Sequence, residues 1–253
     1  MPAPLAVQMY SLREALEADF TGVTKKLADI GYKFVEPWAS MPLAHSEAAK
    51  LFADLGLGVI SAHMPLPLGD AQASTLEAAA IYGLKYLIVP YMPREQFTTV
   101  DGIKAVCDQL NEANKVVTGA GMTLGYHNHE FEYEMVDGSP AYHIMLEHLD
   151  PGIILEVDTY WVQVGGQDAA RIIAELGTRA PLLHIKDGPA DDPAAAMVAA
   201  GEGNMDIPAI VKAGEAHTEL LVVELDRCDT DMMTAIDKSY QYMTKEGLAD
   251  GSR

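Results

Sequence analysis

Strand-like apolar runs alternate with helix-like segments eight times along this chain, and this alternation allows very few architectures. The predicted strands lie near residues 5–10, 33–36, 58–62, 85–90, 122–127, 153–158, 181–185 and 219–224. Eight strand–helix units within 253 residues match the usual size of a (β/α)₈ barrel. We therefore predict an α/β fold with one domain over residues 1–253, a single (β/α)₈ TIM barrel with its active site at the C-terminal strand ends.

The segments between the strands have the apolar spacing of amphipathic helices. Residues 20–30 and 103–117 repeat apolar positions at intervals of three and four residues. Glycines stand just before several strands, where each is expected to end a helix: Gly31, Gly56, Gly83 and Gly121. A doubly wound open sheet is the alternative. It rarely has eight parallel strands in so short a chain, and no glycine-rich phosphate loop follows the first strand.

The chain is acidic, with a formal net charge of −20 and a sequence pI near 4.6. Nucleic-acid binding needs lysine and arginine to displace counterions, so we expect no nucleic-acid partner. No apolar run reaches the roughly 18 residues that span a bilayer, and no signal segment opens the chain. Cys107 and Cys228 are too few for a disulfide framework. A cytoplasmic protein with no membrane partner is the resulting expectation.

Side chains that bind metals recur at the ends of the last four predicted strands. The fifth strand runs into Tyr126-His-Asn-His129, whose histidines share a face because side chains alternate along a strand. The next strands reach Asp158, His184 and Glu224, and the strand ends of a parallel barrel converge on one mouth. Nitrogen and oxygen ligands without thiolate suit Mn²⁺, Mg²⁺, Co²⁺ or Zn²⁺. Glu156 is deeper and is expected to pack or to form hydrogen bonds.

The same residues carry a resemblance to a known group of proteins. The chain resembles the xylose isomerase-like TIM barrels, in particular the sugar phosphate isomerases/epimerases; that superfamily also holds tagatose epimerases, inosose dehydratases and endonuclease IV. The matching motifs extend over nearly the whole chain: Val7–Arg13, Tyr126–His129 with Glu132, Glu156–Trp161, His184–Asp187, Gly201–Asp206 and Val222–Asp226. The resemblance implies one divalent ion, with Mn²⁺ expected first. Its ligands in the family are usually Glu, Asp, His and Glu, which fall here on His127, Asp158, His184 and Glu224.

Histidine at position 127 departs from the family pattern. Epimerases of this group commonly use two metal-bound glutamates, one on each face of the substrate, to remove and return a proton. His127 stands in place of the first, so Glu224 is expected to serve alone as metal ligand and general base. Glu132 is either a second base or a residue that steadies His129. The two roles are weighed equally.

Other residues near the strand ends are expected to bind substrate or assist the reaction. Those expected to contact a sugar are His63, Glu36, Trp38, His129 and Trp161, and Arg13 and Arg227 are weaker candidates for contact with an oxyanion. Trp161 would stack on a sugar ring or pack in the wall. Lys186 would meet an oxyanion, or be an ordinary surface lysine. The segment from Gly188 to Asp206 has few expected apolar anchors and follows strand seven, which predicts a lid that closes over substrate.

These observations favour a metal-dependent isomerase or epimerase that removes a proton next to the carbonyl of a sugar or keto-sugar. The alternative is a metal-dependent lyase or dehydratase acting on a keto-cyclitol (an inosose) or a 3-keto-glycoside, in which a β-substituent leaves instead. A non-catalytic barrel that binds metal or sugar is the third hypothesis. The expected partner is a small sugar or cyclitol, and a homodimer is a further expectation because barrels of this group often pair.

Overall fold

The computed structural model describes residues 2–251, and it confirms the predicted (β/α)₈ barrel. Each predicted strand is present, and their observed bounds are β1 (Leu5–Gln8), β2 (Phe34–Glu36), β3 (Ser61–His63), β4 (Tyr86–Val89), β5 (Thr123–His127), β6 (Ile154–Asp158), β7 (Leu182–Ile185) and β8 (Leu220–Val223). They form one parallel sheet in the order β2-β1-β8-β7-β6-β5-β4-β3. Consecutive strands are therefore neighbours all the way round, as in a barrel.

The barrel closes between β2 and β3 through isolated bridges rather than a continuous ladder. Phe34 bridges to Gly58, and Trp38 bridges to His63. The third strand differs most from its prediction, since its paired residues begin at Ser61 and not at position 58. Gly58 bonds only to the β2 side, whereas Ser61 is the first residue in register with β4.

Helices cover the outside of the sheet. Their bounds are α1 (Arg13–Ile30), α2 (His45–Asp54), α3 (Gln72–Tyr82), α4 (Val100–Gly119), α5 (Ala141–His148), α6 (Thr159–Val164), α7 (Ala169–Leu176), α8 (Ile207–Gly214) and α9 (Met232–Lys245). Helix α1 has a kink at Asp19, where the backbone leaves the helical region. Gly83 ends α3 in the left-handed conformation (φ 66°), which a residue without Cβ adopts readily. Within residues 2–251, no helix is long and apolar enough to cross a membrane.

Strand alternation divides the interior into an apolar base and a polar mouth. Ala6, Leu182, Leu220 and Val222 belong to one buried apolar cluster inside the barrel. Two positions further along β7 stands His184, and two positions beyond Val222 stands Glu224. The alternate residues of the strands face outward and pack under the helices. The sequence pattern thus places titratable side chains directly above an apolar floor.

The loop after β7 is tied to the barrel through the carboxylate of Asp187. Asp187 Oδ1 accepts hydrogen bonds from the backbone N–H groups of Gly188 (2.8 Å) and Met205 (3.0 Å). Asp187 Oδ2 accepts from the N–H groups of Gly201 (2.8 Å) and Gly203 (3.1 Å). One carboxylate therefore holds both ends of the segment for which the sequence predicted a lid.

The segment also has more apolar contacts than its composition suggested. Met197, Ala199 and Ala200 are buried, and Asp226 N donates to the Met197 sulfur at 3.3 Å. The expectation of few apolar anchors was wrong, because these alanine and methionine side chains belong to the buried hydrophobic core instead of facing solvent. Closure over substrate stays a prediction.

Candidate active site

Four side chains at the mouth form a group able to hold a metal ion. They are His127, Asp158, His184 and Glu224, one each from β5, β6, β7 and the residue after β8. Their ligand atoms lie within 4.8 Å of one another, and all four residues are buried. The structure thus brings together the four residues for which the family resemblance implied a role as ligands.

Asp158 is held so that only one of its oxygens faces this group. Asp158 Oδ1 caps helix α6 by accepting the N–H groups of Tyr160 (3.1 Å) and Trp161 (3.0 Å). Asp158 Oδ2 is buried and accepts no well-directed hydrogen bond, although Lys186 Nζ lies 2.8 Å away. Burial raises the pKa of Asp158 to about 6, against the opposing charge of Lys186. A buried carboxylate oxygen without a directed donor fits a cation ligand.

In each of the two histidines, the ring nitrogen that faces away from the group contacts a carboxylate. Glu156 Oε2 lies 3.0 Å from Nδ1 of His127, whose Nε2 faces Asp158 Oδ2 at 3.5 Å. Glu36 Oε1 lies 2.9 Å from Nε2 of His184, whose Nδ1 faces Glu224 Oε2 at 2.8 Å. Histidine ligands of metals almost always donate their second ring N–H to such a partner, which fixes the tautomer.

One carboxylate oxygen of Glu156 contacts the imidazole rings of three histidines. Its Oε2 atom lies 2.6 Å from His63 Nε2, 3.0 Å from His127 Nδ1 and 3.2 Å from His184 Nε2. Burial opposes ionisation, but the charges of His184 and His63 outweigh it and hold the pKa of Glu156 well below its usual range. The hydrogen-bonding role expected for Glu156 agrees with this placement. Its connection to three histidines at once was not foreseen.

Glu156 also belongs to a second group of metal-capable atoms, together with His63, His127 and His184. The two groups share two histidines but use opposite ring nitrogens of each. A neutral imidazole offers one lone pair for a metal, so it ligates through one nitrogen and donates through the other. The two groups are therefore alternatives, and in the deeper one Glu156 would lose its role as acceptor for the histidines.

Lys186 lies between carboxylates at the mouth. Its ammonium is 2.8 Å from Asp158 Oδ2, 2.8 Å from Glu224 Oε2 and 2.7 Å from Asp226 Oδ2. Burial alone would lower the pKa of Lys186, but Asp158, Asp226 and Glu224 raise it well above the usual value. Lys186 is 2% exposed and is a cation within the site, not a surface lysine.

Glu132 lies in the turn after β5 and is buried. Its Oε1 accepts from the hydroxyl of Tyr126 (2.6 Å), and its Oε2 accepts from the backbone N–H of His129 (2.9 Å). Burial raises the pKa of Glu132 to about 8, so the protonated form dominates at neutral pH. Burial also lowers the pKa of His129 to about 3. Of the two roles considered for Glu132, the contact with His129 is the one present in this geometry.

A cleft of about 410 Å³ opens above these residues. Its lining residues are Tyr10, Trp38, Ala39, His63, Met64, Pro65, Pro90, Tyr91, His127, His129, Lys186, Glu224 and Asp226. Of the residues expected to bind substrate, His63 and His129 line the cleft, whereas Glu36 and Trp161 do not. Glu36 is fully buried, and Ser61 and Gln8 donate to its carboxylate. Trp161 packs below the rim, with its ring centroid 5.5 Å from Lys186 Nζ.

Two tyrosines on the rim were not among the residues predicted from the sequence. Tyr10 is 41% exposed and Tyr91 is 51% exposed, and both line the cleft. Trp38 meets Tyr10 edge-on with ring centroids 5.8 Å apart. Tyr10 lies in the first matching motif, Val7–Arg13, so its position two residues beyond β1 was the available signal.

A (β/α)₈ barrel with a histidine and carboxylate centre at its strand ends belongs to a recognisable class of enzyme folds. A family model described as xylose isomerase-like TIM barrel matches residues 24–224. The chain therefore belongs to the xylose isomerase-like TIM barrel family. A search of the curated proteins finds no match.

Solved structures with the same fold include two described as sugar phosphate isomerase/epimerase from Parabacteroides distasonis ATCC 8503. One is 24% identical, with 99% of this chain and 96% of that chain covered and a TM-score of 0.84. The other is 26% identical, with 98% and 100% covered and a TM-score of 0.83. The structure of L-ribulose 3-epimerase is similar at 20% identity, with 97% and 94% covered and a TM-score of 0.68. These neighbours support a fold like that of sugar isomerases and epimerases.

Proposed function

We propose that this protein is a metal-dependent isomerase or epimerase that removes a proton next to the carbonyl of a sugar or keto-sugar. The observation that carries the proposal is the position of Glu224. It is one of four residues able to hold a metal, and it also lines the cleft. A carboxylate in both places is able to take a proton from a substrate bound above the ion.

The residues that would hold the ion are His127, Asp158, His184 and Glu224. A divalent ion there would act as a Lewis acid toward a sugar carbonyl or hydroxyl. The fit rests on the Asp158 oxygen left without a directed donor and on the two histidines oriented by Glu156 and Glu36. Nitrogen and oxygen donors suit Mn²⁺, Mg²⁺, Co²⁺ and Zn²⁺, and the proposal takes Mn²⁺ first because the family resemblance implies it.

Glu224 is a better candidate for the general base than Glu132. Burial opposes ionisation of Glu224, but Lys186 and His184 outweigh it and hold its pKa well below the usual range. Glu132 does not line the cleft, and both of its oxygens accept hydrogen bonds from the protein. We therefore assign proton transfer to Glu224, and we assign Glu132 to positioning His129 on the cleft wall.

The cleft favours an unphosphorylated substrate. Among its described lining residues, Lys186 is the single Lys or Arg side chain, and it is already paired with carboxylates. Arg13 lies nearby, but it donates to the backbone oxygens of Tyr10 (3.0 Å) and Asp226 (3.1 Å). A phosphate group would meet Glu224 and Asp226 without a free cation. The exposed rings of the rim suit the apolar face of a neutral sugar.

A second candidate function is a lyase or dehydratase acting on a keto-cyclitol or a 3-keto-glycoside. The observation that favours it is Lys186, because its ammonium lies in the cleft wall 2.8 Å from Glu224 Oε2. After Glu224 takes the proton, an acid at that position would protonate a β-hydroxyl or alkoxide as its bond to carbon breaks. If the protein only bound sugar or metal, the neighbouring Glu224 carboxylate and Lys186 ammonium would have no catalytic role.

Nuclear magnetic resonance of reactions in D₂O separates these functions. The protein with Mn²⁺ is incubated with a panel of ketoses, inososes and keto-glycosides, and each sugar is compared with its phosphate ester. An isomerase or epimerase yields an isomer with deuterium on carbon, and a lyase yields an unsaturated product or a released group. Absence of product and of exchange across the panel contradicts both enzymes.

Elemental analysis tests the metal centre separately. We expect one divalent ion per wild-type chain and its loss in His184→Ala, because His184 supplies one of four ligands. Full occupancy in that variant contradicts the ligand assignment. Lys85→Met, a change at the opposite end of the barrel, is the control and is expected to keep its ion.

A further inference from the structure

Two of the four atoms able to bind a metal are already in contact with a cation of the protein itself. Lys186 Nζ lies 2.8 Å from Asp158 Oδ2 and 2.8 Å from Glu224 Oε2. These are the oxygens that these two residues present to the group. The ammonium thus bridges Asp158 and Glu224 across the site.

A divalent ion and this ammonium compete for the same oxygens. Mg²⁺ and Zn²⁺ bind carboxylate oxygens at about 2.0–2.2 Å, so an ion bound to both would lie between Asp158 and Glu224. The ammonium would then be a like charge within a few ångströms of the ion, in a buried site where water screens little. The three carboxylates near Lys186 are those of Asp158, Glu224 and Asp226. Because Lys186 is buried, its ammonium has few other directions in which to move.

We propose that Lys186 is an internal cation that a divalent ion has to displace from Asp158 and Glu224, and that Lys186 then pairs with Asp226 at the cleft. This inference rests on the proposed metal centre. The chain's own lysine then sets the affinity for the ion. Metal loading in turn determines the position of Lys186, the single Lys or Arg side chain among the described residues of the cleft lining.

Residues around Lys186 would stabilise its ammonium in the displaced position. Asp226 Oδ2 is already 2.7 Å from Lys186 Nζ, and the Asp226 side chain is 25% exposed where it lines the cleft. The ring of Trp161, with its centroid 5.5 Å from Nζ, offers a cation a second favourable contact. The flexible four-carbon stem of lysine allows the ammonium to move without backbone change.

The displacement has a consequence for substrate binding. Once freed from Asp158 and Glu224, the ammonium keeps Asp226 as its one carboxylate partner and lies at the cleft, where a substrate oxyanion would meet it. Metal and an anionic ligand are then expected to strengthen each other's binding, and such coupling is reciprocal. A neutral sugar bound in its ground state would gain less from the moved ammonium than an enediolate-like analogue would.

The first test compares Mn²⁺ affinity by isothermal titration calorimetry and by electron paramagnetic resonance of the free ion. Lys186→Met removes the competing charge and keeps an apolar stem of similar length. We expect it to bind Mn²⁺ at least tenfold more tightly than wild type. Lys85→Met is the control, since Lys85 pairs with Glu219 at the other end of the barrel, and its affinity should match wild type. Equal or weaker affinity in Lys186→Met overturns the inference.

The second test uses the wild-type protein and so does not depend on the folding of a variant. Acetic anhydride is applied with and without Mg²⁺, and acetylation of each lysine is measured by mass spectrometry. We expect the rate at Lys186 to rise at least threefold with Mg²⁺, and the rate at the half-exposed Lys85 to stay constant. An unchanged rate at Lys186 in protein that has bound Mg²⁺ contradicts the displacement.

The two tests separate this inference from the metal centre beneath it. If neither wild type nor Lys186→Met binds Mn²⁺, the metal centre fails and the inference fails with it. If both bind with the same affinity, the metal centre stands and the displacement alone is wrong.

Discussion

Glu156 Oε2 lies 3.0 Å from Nδ1 of His127, and this contact turns the opposite ring nitrogen of His127 toward Asp158. Burial lowers the pKa of His127 well below its usual value, although Glu156 opposes the shift. His127 is therefore neutral, which is the form that donates a lone pair to a metal. Glu156 thus holds His127 in the orientation that the proposed metal centre requires.

Removing the charge of Glu156 should weaken metal binding. We expect Glu156→Gln to lower Mn²⁺ affinity about 10–100-fold, the usual effect of losing a partner that orients a histidine ligand. Titration calorimetry measures the affinity, and circular dichroism checks the fold. Glu134→Gln is the control, since Glu134 is exposed and pairs with Arg94. Wild-type affinity in a folded Glu156→Gln protein would show that this contact does not organise the site.

Glu224→Gln should lose far more kcat than metal. Glutamine keeps the size and one acceptor oxygen but accepts no proton at neutral pH. We expect kcat to fall about 10²–10⁴-fold, while the other three ligands keep part of the metal affinity. Steady-state kinetics on the substrate found in the panel, with elemental analysis of the same samples, measures both quantities.

Glu132→Gln is the comparison for that experiment. Because Glu132 does not line the cleft, we expect its variant to change kcat by less than tenfold. If Glu132→Gln is inactive with metal bound while Glu224→Gln turns over normally, the two roles are reversed. If both are mild, a metal-bound hydroxide is the better candidate for the base, and the lyase function gains support.

The sequence predicted those features that depend on strand order and strand period. His184 and Glu224 could be placed at one mouth because each ends an apolar strand, and barrel strand ends converge. The contact between Glu36 and His184 could not be predicted, since it joins residues 148 positions apart across the barrel interior. Such a contact depends on barrel diameter and on side-chain rotamers, and neither follows from residue period.

The contacts of Lys186 could not be predicted from the sequence either. Strand alternation correctly placed it on the same face as His184, but the sequence left it as an oxyanion contact or a surface lysine. Its pairing with Asp158 required two strands to be neighbours at a particular register, Asp158 beside His184. Glu36 and Trp161 were expected to contact substrate, but neither lines the cleft. The position of a residue relative to a strand does not distinguish the cleft wall from the layer below it.

Glu132 should make stability fall as pH rises above neutrality. Its pKa is about 8 in the folded protein against 4.5 for an ordinary glutamate, so the folded state holds the proton more tightly. The resulting stabilisation is full below pH 4.5 and is lost as pH rises to about 8. Between pH 6.5 and 9 the loss is about 2 kcal/mol. In the folded protein His129 is neutral throughout this window, because its pKa is lowered to about 3.

Urea unfolding of wild type and Glu132→Gln at pH 6.5 and pH 9 measures this effect. Glutamine does not ionise, so the unfolding free energy of the variant should rise relative to wild type at the higher pH. The difference between the two proteins is the quantity of interest, since other groups titrate equally in both. A difference that is the same at both pH values would mean that Glu132 is already ionised at neutral pH.

Gly203→Ala should destabilise the loop that Asp187 holds. A Cβ at position 203 would overlap Asp187 Oδ1 and the backbone nitrogen of Gly188, because the chain passes directly over that carboxylate. Overpacking of this kind costs about 1–3 kcal/mol, and here it would also separate Asp187 from its backbone donors. Gly119→Ala is the matched control, since nothing lies within 4 Å of a Cβ there. It should be neutral or slightly stabilising.

Hydrogen exchange shows which amides Gly203→Ala affects and how strongly. In wild type we expect the amides of Gly201, Gly203 and Met205 to be protected without any ligand, since Asp187 accepts a hydrogen bond from each. In the variant these amides should exchange faster, while those of β7 and β8 keep their protection. Rapid exchange of all three in ligand-free wild type would instead favour the lid that the loop's composition suggested, with Asp187 closing it only when substrate is bound.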